Sequence, residues 1–361
     1  MNAPAIPEPY PADSVGLVTP QRVAIDTPLQ LDCGRTLARF DLTVETYGTL
    51  NATASNAILV CHALSGDHHA AGYHSPADRK PGWWDNCIGP GRPIDTNRYF
   101  VVCSNMIGSA FGSSGPASIN PETGKPYGPN FPAYTTIDMI RAQHLLIDHL
   151  GCGQLKAVIG YSYGGHLTFL WGANYPDRMR ALVPIAGVIK RETKEADTNR
   201  IRAQFADCTG WNDGHYYEQG DAPGGVREKM IEIRIETLTR YGLGDYLKHN
   251  GETPDAIVRI VRANAEKWAH QFDANSLYKL YEAGIGSEAD ATKIKAPLLD
   301  VLANSDSVVD VKLGPPTVER LKSLGVDASF HEIDTPYGHT GPMLDAHKWE
   351  DVLRAFLERT P

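Results

Sequence analysis

The segment Gly160-Tyr161-Ser162-Tyr163-Gly164-Gly165 constrains this chain more than any other. It fits the pattern G-x-S-x-G. It follows Leu155-Lys156-Ala157-Val158-Ile159, which reads as a buried strand, and precedes a helical stretch at 166–175. A chain that passes from strand to helix through a serine must bend sharply. Glycines two before and two after the serine are needed, because a Cβ there would collide with neighbouring backbone. The bend stands the Ser162 hydroxyl above the sheet. It also sets the Tyr163 amide at a helix N-terminus, where it can stabilise an oxyanion.

The rest of the sequence carries the same alternation of strands and helices. Residues 39–47 alternate apolar and polar with period two, as a half-exposed strand does. Residues 57–61 and 99–103 are continuously apolar, as buried parallel strands are. Thr135 and Asp138 make a capping-box start for a helix from about residue 136, with Met139, Leu146 and Leu150 on one face and Gly151 as its stop. Residues 297–303 and 328–333 read as strands, and 315–324 as a helix ended by Gly325. A final helix is expected over 343–358, with Leu344, Trp349, Leu353 and Phe356 as its apolar stripe. Residues 190–295 differ in texture, being polar and helical in period. Val226, Met230 and Ile233 are spaced as on one helix, and further helices are expected at 253–271 and 273–284. The expected architecture is therefore α/β: a mainly parallel sheet with helices on both faces, formed by 1–189 and 296–361, with 190–295 inserted as a helical lid. Met230, Trp268 and Tyr278 read first as helix–helix contacts and second as the lining of a ligand tunnel. Residues 191–197 read as solvated surface.

A serine nucleophile needs a base, and the base needs an acid to orient it. In this architecture the order along the chain is serine, acid, histidine. His339 lies just past the last expected strand and before the last helix, where an imidazole projects over the sheet. His331 lies inside a strand, His347 on the final helix, and His215, His249 and His270 in the insert. Asp306 follows the preceding strand at a turn, whereas Asp300 is in mid-strand and Asp310 is past the turn. Ser162, Asp306 and His339 are thus the expected triad. Ser162 attacks an acyl carbon, His339 takes and returns its proton, and Asp306 holds the imidazole. The loop Cys61-His62-Ala63-Leu64-Ser65-Gly66 after an early strand supplies the Leu64 amide as the second oxyanion donor.

Composition narrows the partners. The net charge of −9 disfavours nucleic acid and anionic membranes. The longest apolar run, 181–189, is interrupted by a proline and is too short to span a bilayer. Met1-Asn2-Ala3-Pro4 lacks a secretory pattern and opens a proline-rich arm. The 6 cysteines show no C-x-x-C spacing and read as free thiols in a reducing cytoplasm. His62 and the pair His68-His69 suggest a metal, but no H-E-x-x-H pattern or carboxylate spacing supports one, so none is expected. No Walker or dinucleotide glycine pattern follows a strand.

Outside the insert the sequence resembles the homoserine transacetylase family of α/β-hydrolases. The likeness rests on Glu45-Thr46-Tyr47-Gly48-Thr49-Leu50, Cys61-His62-Ala63-Leu64-Ser65-Gly66-Asp67-His68 and Gly82-Trp83-Trp84-Asp85. It continues through Gly115-Pro116-Ala117-Ser118-Ile119-Asn120-Pro121 and Tyr127-Gly128-Pro129-Asn130-Phe131-Pro132. The resemblance implies the same triad, the same oxyanion amides at Leu64 and Tyr163, and a lid that forms a homodimer contact and one wall of a substrate tunnel. It implies acyl transfer from a coenzyme A thioester to homoserine or serine, although some relatives are plain esterases.

Three departures bear on that choice. Tyr161 stands before the serine where transferases usually have glycine. Thr340 follows the histidine where they carry an aspartate for the amino group of homoserine, and a neutral hydroxyl gives an ammonium a weaker contact. They also hold the homoserine carboxylate with an arginine near the start of the lid; Arg200 and Arg202 lie in that region, but the stretch 202–211 is rearranged, with Cys208 where proline is usual. Tyr161, Arg202 and Thr340 are thus the expected substrate contacts. An acyl-enzyme passes its acyl group to an alcohol rather than water only if the alcohol is bound and aimed. The expectation is therefore an ester hydrolase of small, acetyl-type esters that needs no cofactor. The alternative is an acyltransferase to homoserine or serine with acetyl-CoA as co-substrate. A non-catalytic ligand-binding protein on the same scaffold would show an eroded elbow or triad, which the sequence does not.

Overall fold

The computed structural model describes residues 10–360; most of the proline-rich arm lies outside them. Eight strands form the main sheet: β1 (Gln21–Ile25), β2 (Phe40–Tyr47), β3 (Ala57–Cys61), β4 (Phe100–Ser104), β5 (Ala157–Tyr161), β6 (Leu182–Ile185), β7 (Leu298–Ala303) and β8 (Ala328–Ile333). Their spatial order is β1-β2-β4-β3-β5-β6-β7-β8. The β1–β2 and β2–β4 pairings are antiparallel, and every other pairing is parallel.

The apolar runs of the parallel strands place alternate residues on opposite faces. Leu59, Cys61, Val158 and Leu182 pack on one side with Leu146 of α1 (Thr136–His149) and Leu170 of α2 (Tyr163–Asn174). Ile58, Val60, Ile159 and Val183 pack on the other with Trp84, Ile88 and Trp349. Both faces are thus covered by apolar groups, which is why these strands read as continuous rather than alternating. The capping box of α1 forms: Thr135 Oγ1 accepts from Asp138 N, and Asp138 Oδ2 accepts from Thr135 N at 2.9 Å. A cap of this kind stabilises a helix by about 1 kcal/mol.

Five helices lie between β6 and β7: α3 (Glu195–Ala203), α4 (Val226–Arg240), α5 (Leu243–His249), α6 (Pro254–Ala269) and α7 (Ala274–Ala283). They form the inserted lid. α4 and α6 pack through Leu238, Val261 and Ala265. α8 (Gly314–Ser323) joins β7 to β8. No helix among the described residues is long and apolar enough to cross a membrane.

Two sequence expectations change in detail. The final helix is broken into α9 (Gly341–Leu344) and α10 (Glu350–Arg359), because Asp345 and Trp349 leave helical dihedrals. Trp349 turns inward, and its Nε1 donates to Pro342 O at 2.9 Å. Strand β2 is not half-exposed: Glu45 is 1% exposed and Thr43 is 9% exposed. The loop carrying Ser113 and the segment around His69 cover its polar residues and hydrogen-bond to them. The charged stretch 191–197 is exposed or half-buried, as expected of solvated surface, and its last residues begin helix α3.

Candidate active site

Strand β5 ends at Tyr161 and α2 begins at Tyr163, so Ser162 alone makes the turn. Its φ of 58° and ψ of −112° put it in a conformation that non-glycine residues rarely adopt, at a cost of about 1–3 kcal/mol. The surroundings fix it there. Ser162 N donates to Ile185 O at 2.8 Å, and His166 N donates to Ser162 O at 3.1 Å. A Cβ on Gly160 would run into Gly164 O, and one on Gly164 into Cys61 O. Both glycines are therefore required by close backbone approach, and α2 starts hard against the loop after β3.

His339 and Asp306 converge on this serine from loops after β8 and β7. His339 Nε2 is 2.7 Å from Ser162 Oγ, and His339 Nδ1 is 2.7 Å from Asp306 Oδ2. The other carboxylate oxygen of Asp306 accepts from Val308 N at 2.7 Å and Val309 N at 3.1 Å. These bonds fix the plane of the carboxylate. With Asp306 on Nδ1, the imidazole carries its proton there and presents a lone pair to Ser162. The alternative acids sit elsewhere: Asp310 caps the backbone at Lys312 N, and Asp300 is buried inside β7.

The loop after β3 supplies the other side of the cleft. Tyr163 is the first residue of α2, so its N–H has no acceptor in a preceding turn. Leu64 is half-buried in the loop against which α2 starts. His62 anchors that loop. Its Nδ1 meets Ala63 O at 2.7 Å and its Nε2 accepts from Met106 N at 3.0 Å. Burial holds its pKa down at about 4, so it is neutral and structural. The lid also closes on this loop. Trp268 Nε1 donates to Ser65 O at 3.2 Å, and Arg234 Nη1 donates to Ser65 Oγ at 2.8 Å.

Arg234 is the functional candidate that sequence reasoning missed. Its guanidinium lies over the Trp268 ring, 4.9 Å from the centroid. It forms no ion pair among the described residues, and its buried Nε has no partner. Burial lowers its pKa to about 10. It is a desolvated cation with no carboxylate partner among the described residues, held against the loop after β3. No local motif marks it, because its neighbours come from the loop after β3 and from α6.

The three expected substrate contacts are corrected. Arg202 is exposed on α3, with its guanidinium 5.8 Å from the centroid of Tyr278. Tyr161 is buried beneath His339, with rings 5.5 Å apart, and its hydroxyl donates to His339 O. It supports the base and does not face a substrate. Thr340 Oγ1 donates to carbonyls of Tyr337, at 2.8 Å, and Tyr241, at 3.1 Å, so it fastens the histidine loop to the lid. Trp268 and Tyr278 are buried contacts, while Met230 borders a cavity of ≈ 250 Å³ with Tyr216, Val226 and Phe272. All 6 cysteines are free.

A strained serine on a strand–helix turn, above a mainly parallel sheet with a helical insert, defines an α/β-hydrolase; a family model described as alpha/beta hydrolase fold matches residues 56–346. Within that class the chain belongs to the homoserine transacetylase family. It is 40% identical to a homoserine O-succinyltransferase of Marinobacter nauticus, over 98% of each chain. Among solved structures it resembles homoserine O-acetyltransferase from Bacillus anthracis, at 26% identity and TM-score 0.82, over 95% of this chain and 98% of that one. It also resembles esterase E22, at 26% identity and TM-score 0.84, over 94% of this chain and 100% of that one.

These likenesses overturn the expectation of an ester hydrolase. The structural neighbours include both activities at equal identity and do not separate them. The full-length relatives at much higher identity are named as transferases. The expectation rested on departures at Tyr161, at Thr340 and at the start of the lid, the charge missing at Thr340 foremost. It took no account of Arg234, a desolvated lid cation bonded to the loop after β3. The chain is an enzyme of the α/β-hydrolase class.

Proposed function

We propose that this enzyme transfers an acyl group, succinyl in the first instance, from coenzyme A to the hydroxyl of homoserine. The observation that carries this reading is the full-length likeness, at 40% identity, to an enzyme named homoserine O-succinyltransferase. The geometry supports it through Arg234, an unpaired cation for the carboxylate of the amino-acid acceptor.

In the first half-reaction Ser162 Oγ attacks the thioester carbonyl while His339 Nε2 takes its proton. The oxyanion forms between the amides of Leu64 and Tyr163. Collapse expels the coenzyme A sulfur, which leaves with the proton from His339. In the second half-reaction the homoserine hydroxyl gives its proton to His339 and attacks the acyl-serine. The product ester departs as Ser162 recovers that proton. Asp306 keeps the imidazole in register throughout and offsets its charge when protonated. Coenzyme A enters as a co-substrate, and no step calls for a bound cofactor. Holding the homoserine carboxylate on Arg234 raises the effective concentration of its hydroxyl over that of water.

The test is product analysis. Succinyl-CoA and homoserine should give O-succinylhomoserine in step with released thiol, and acetyl-CoA should serve less well. Thiol release matched by free succinate, with no homoserine ester, would refute the proposal.

A further inference from the structure

Strand β2 carries Glu45 into a second polar cluster, which the acyl chemistry does not use. The Glu45 carboxylate accepts from Tyr47 Oη at 2.7 Å, and it lies 3.0 Å from His69 Nδ1 and 2.5 Å from His74 Nε2. Burial works to raise its pKa, but the hydrogen bonds from His69, His74 and Tyr47 outweigh that and hold it below the usual value. A third histidine, His68, turns Nε2 toward Glu45 Oε1 from 3.7 Å, too far for a hydrogen bond. His68 is only 7% exposed, and neither of its ring nitrogens has a hydrogen-bond partner. Burial lowers its pKa. Hydrogen bonding accounts for Glu45, His69, His74 and Tyr47. It does not account for a buried imidazole with both nitrogens unused.

We propose that Glu45, His68 and His74 bind one divalent transition-metal ion, Zn²⁺ foremost. One ligand atom from each residue lies within 4.8 Å of the others. An ion about 2.0–2.2 Å from each of three such atoms is reached by small side-chain rotations. Two imidazoles and a carboxylate suit Zn²⁺ and its neighbours rather than Mg²⁺ or Ca²⁺, which prefer all-oxygen shells. The His74 side chain is 40% exposed, so the site has an entry path and room for a water as fourth ligand. His69 and Tyr47 remain on the carboxylate and orient it, as outer partners of metal ligands do. Imidazole binds a metal through an unprotonated nitrogen, so affinity falls on acidification. The ion ties β2 to the segment that continues from the loop bearing Leu64. Its role is structural, and it stands whether or not the acyl acceptor is homoserine. No sequence motif announces it, because the carboxylate comes from a separate strand.

The test uses the full chain, stripped with chelator, reloaded with Zn²⁺ or Co²⁺ and desalted before metal analysis. One ion per chain is expected, with a higher Tm in the loaded protein. The Co²⁺ form should show visible d–d absorption without a thiolate charge-transfer band, which separates this site from the exposed Cys33 and the half-buried Cys208. His74→Ala, at the surface, and His68→Asn should each lose the ion and the Tm rise while keeping the far-UV circular dichroism of the parent. Failure of the parent to retain an ion, a thiolate band, or retention of the ion by either variant would overturn the assignment.

Discussion

Replacing Arg234 with methionine separates binding from stability, because the two effects have opposite signs. The guanidinium is charged in both the folded and unfolded chain at neutral pH. Its folded pKa is lowered by burial to about 10, which corresponds to about 3 kcal/mol of disfavoured charge. That penalty is fully present at working pH and disappears only above the folded pKa. Stacking on Trp268 offsets about 0.5–2 kcal/mol of it, and the hydrogen bond to Ser65 offsets about 1 kcal/mol more. Methionine keeps much of the volume and none of the charge, so Arg234→Met should leave stability unchanged or raise it by about 1 kcal/mol. Binding should move the other way. A charge-assisted contact to the homoserine carboxylate contributes about 1.5–3 kcal/mol, equivalent to a rise of about 10- to 150-fold in KM for homoserine. Half-saturation by succinyl-CoA should move far less. As the acceptor loses its aim, the share of acyl-enzyme lost to water should grow. Steady-state kinetics with product partitioning, beside urea unfolding, measure all of this. A homoserine KM within about twofold of the parent, together with a lower urea midpoint, would show that Arg234 serves packing alone.

Ser162→Ala should abolish acyl transfer while preserving Tm, since it removes the nucleophile and touches little else; turnover within about tenfold of the parent would refute the nucleophile assignment. Tyr161→Phe removes the hydroxyl that donates to His339 O. A fall of about tenfold in kcat with little change in KM is expected from a looser base, and equal kcat values would refute that support role. Asp300 is buried with Oδ1 unpartnered, and burial pushes its carboxyl up to about 8. The unfolded carboxyl ionises near 4, so over the interval between about pH 4 and 8 the folded chain holds the extra proton and stability falls as pH rises, by up to about 1.4 kcal/mol per unit. Asp300→Asn should flatten the dependence of Tm on pH over that window; parallel curves for parent and variant would refute it.

What could be read from the sequence was local. The elbow was legible because strand, serine, glycines and helix are contiguous, and because the triad residues fall in a fixed order beyond strand ends. Strands β3 and β5 were legible because burial on both faces leaves an uninterrupted apolar run. Strand β2 misled, since its polar residues are covered by segments distant in sequence. The final helix misled in another way: periodicity cannot show that Trp349 turns inward and breaks the coil. Arg234 and Glu45 have no local signature, and the pair His68-His69 hinted at a metal without showing its carboxylate. The meaning of Arg234 and His68 lies in what is missing around them, a carboxylate in one case and a hydrogen-bond partner in the other, and only three dimensions show that. The substrate misreading had the same origin, for Thr340 was judged by its own side chain without its bond to Tyr241.

The insert grips the core at two points: Ser65 is held by Trp268 and Arg234, and the segment after His339 is pinned beneath Tyr241. Its helices therefore act as a jig that sets the spacing between the two halves of the catalytic apparatus. A version of this enzyme trimmed to its sheet and flanking helices would keep all three reacting side chains in its sequence and still lack the brace that holds them in working alignment.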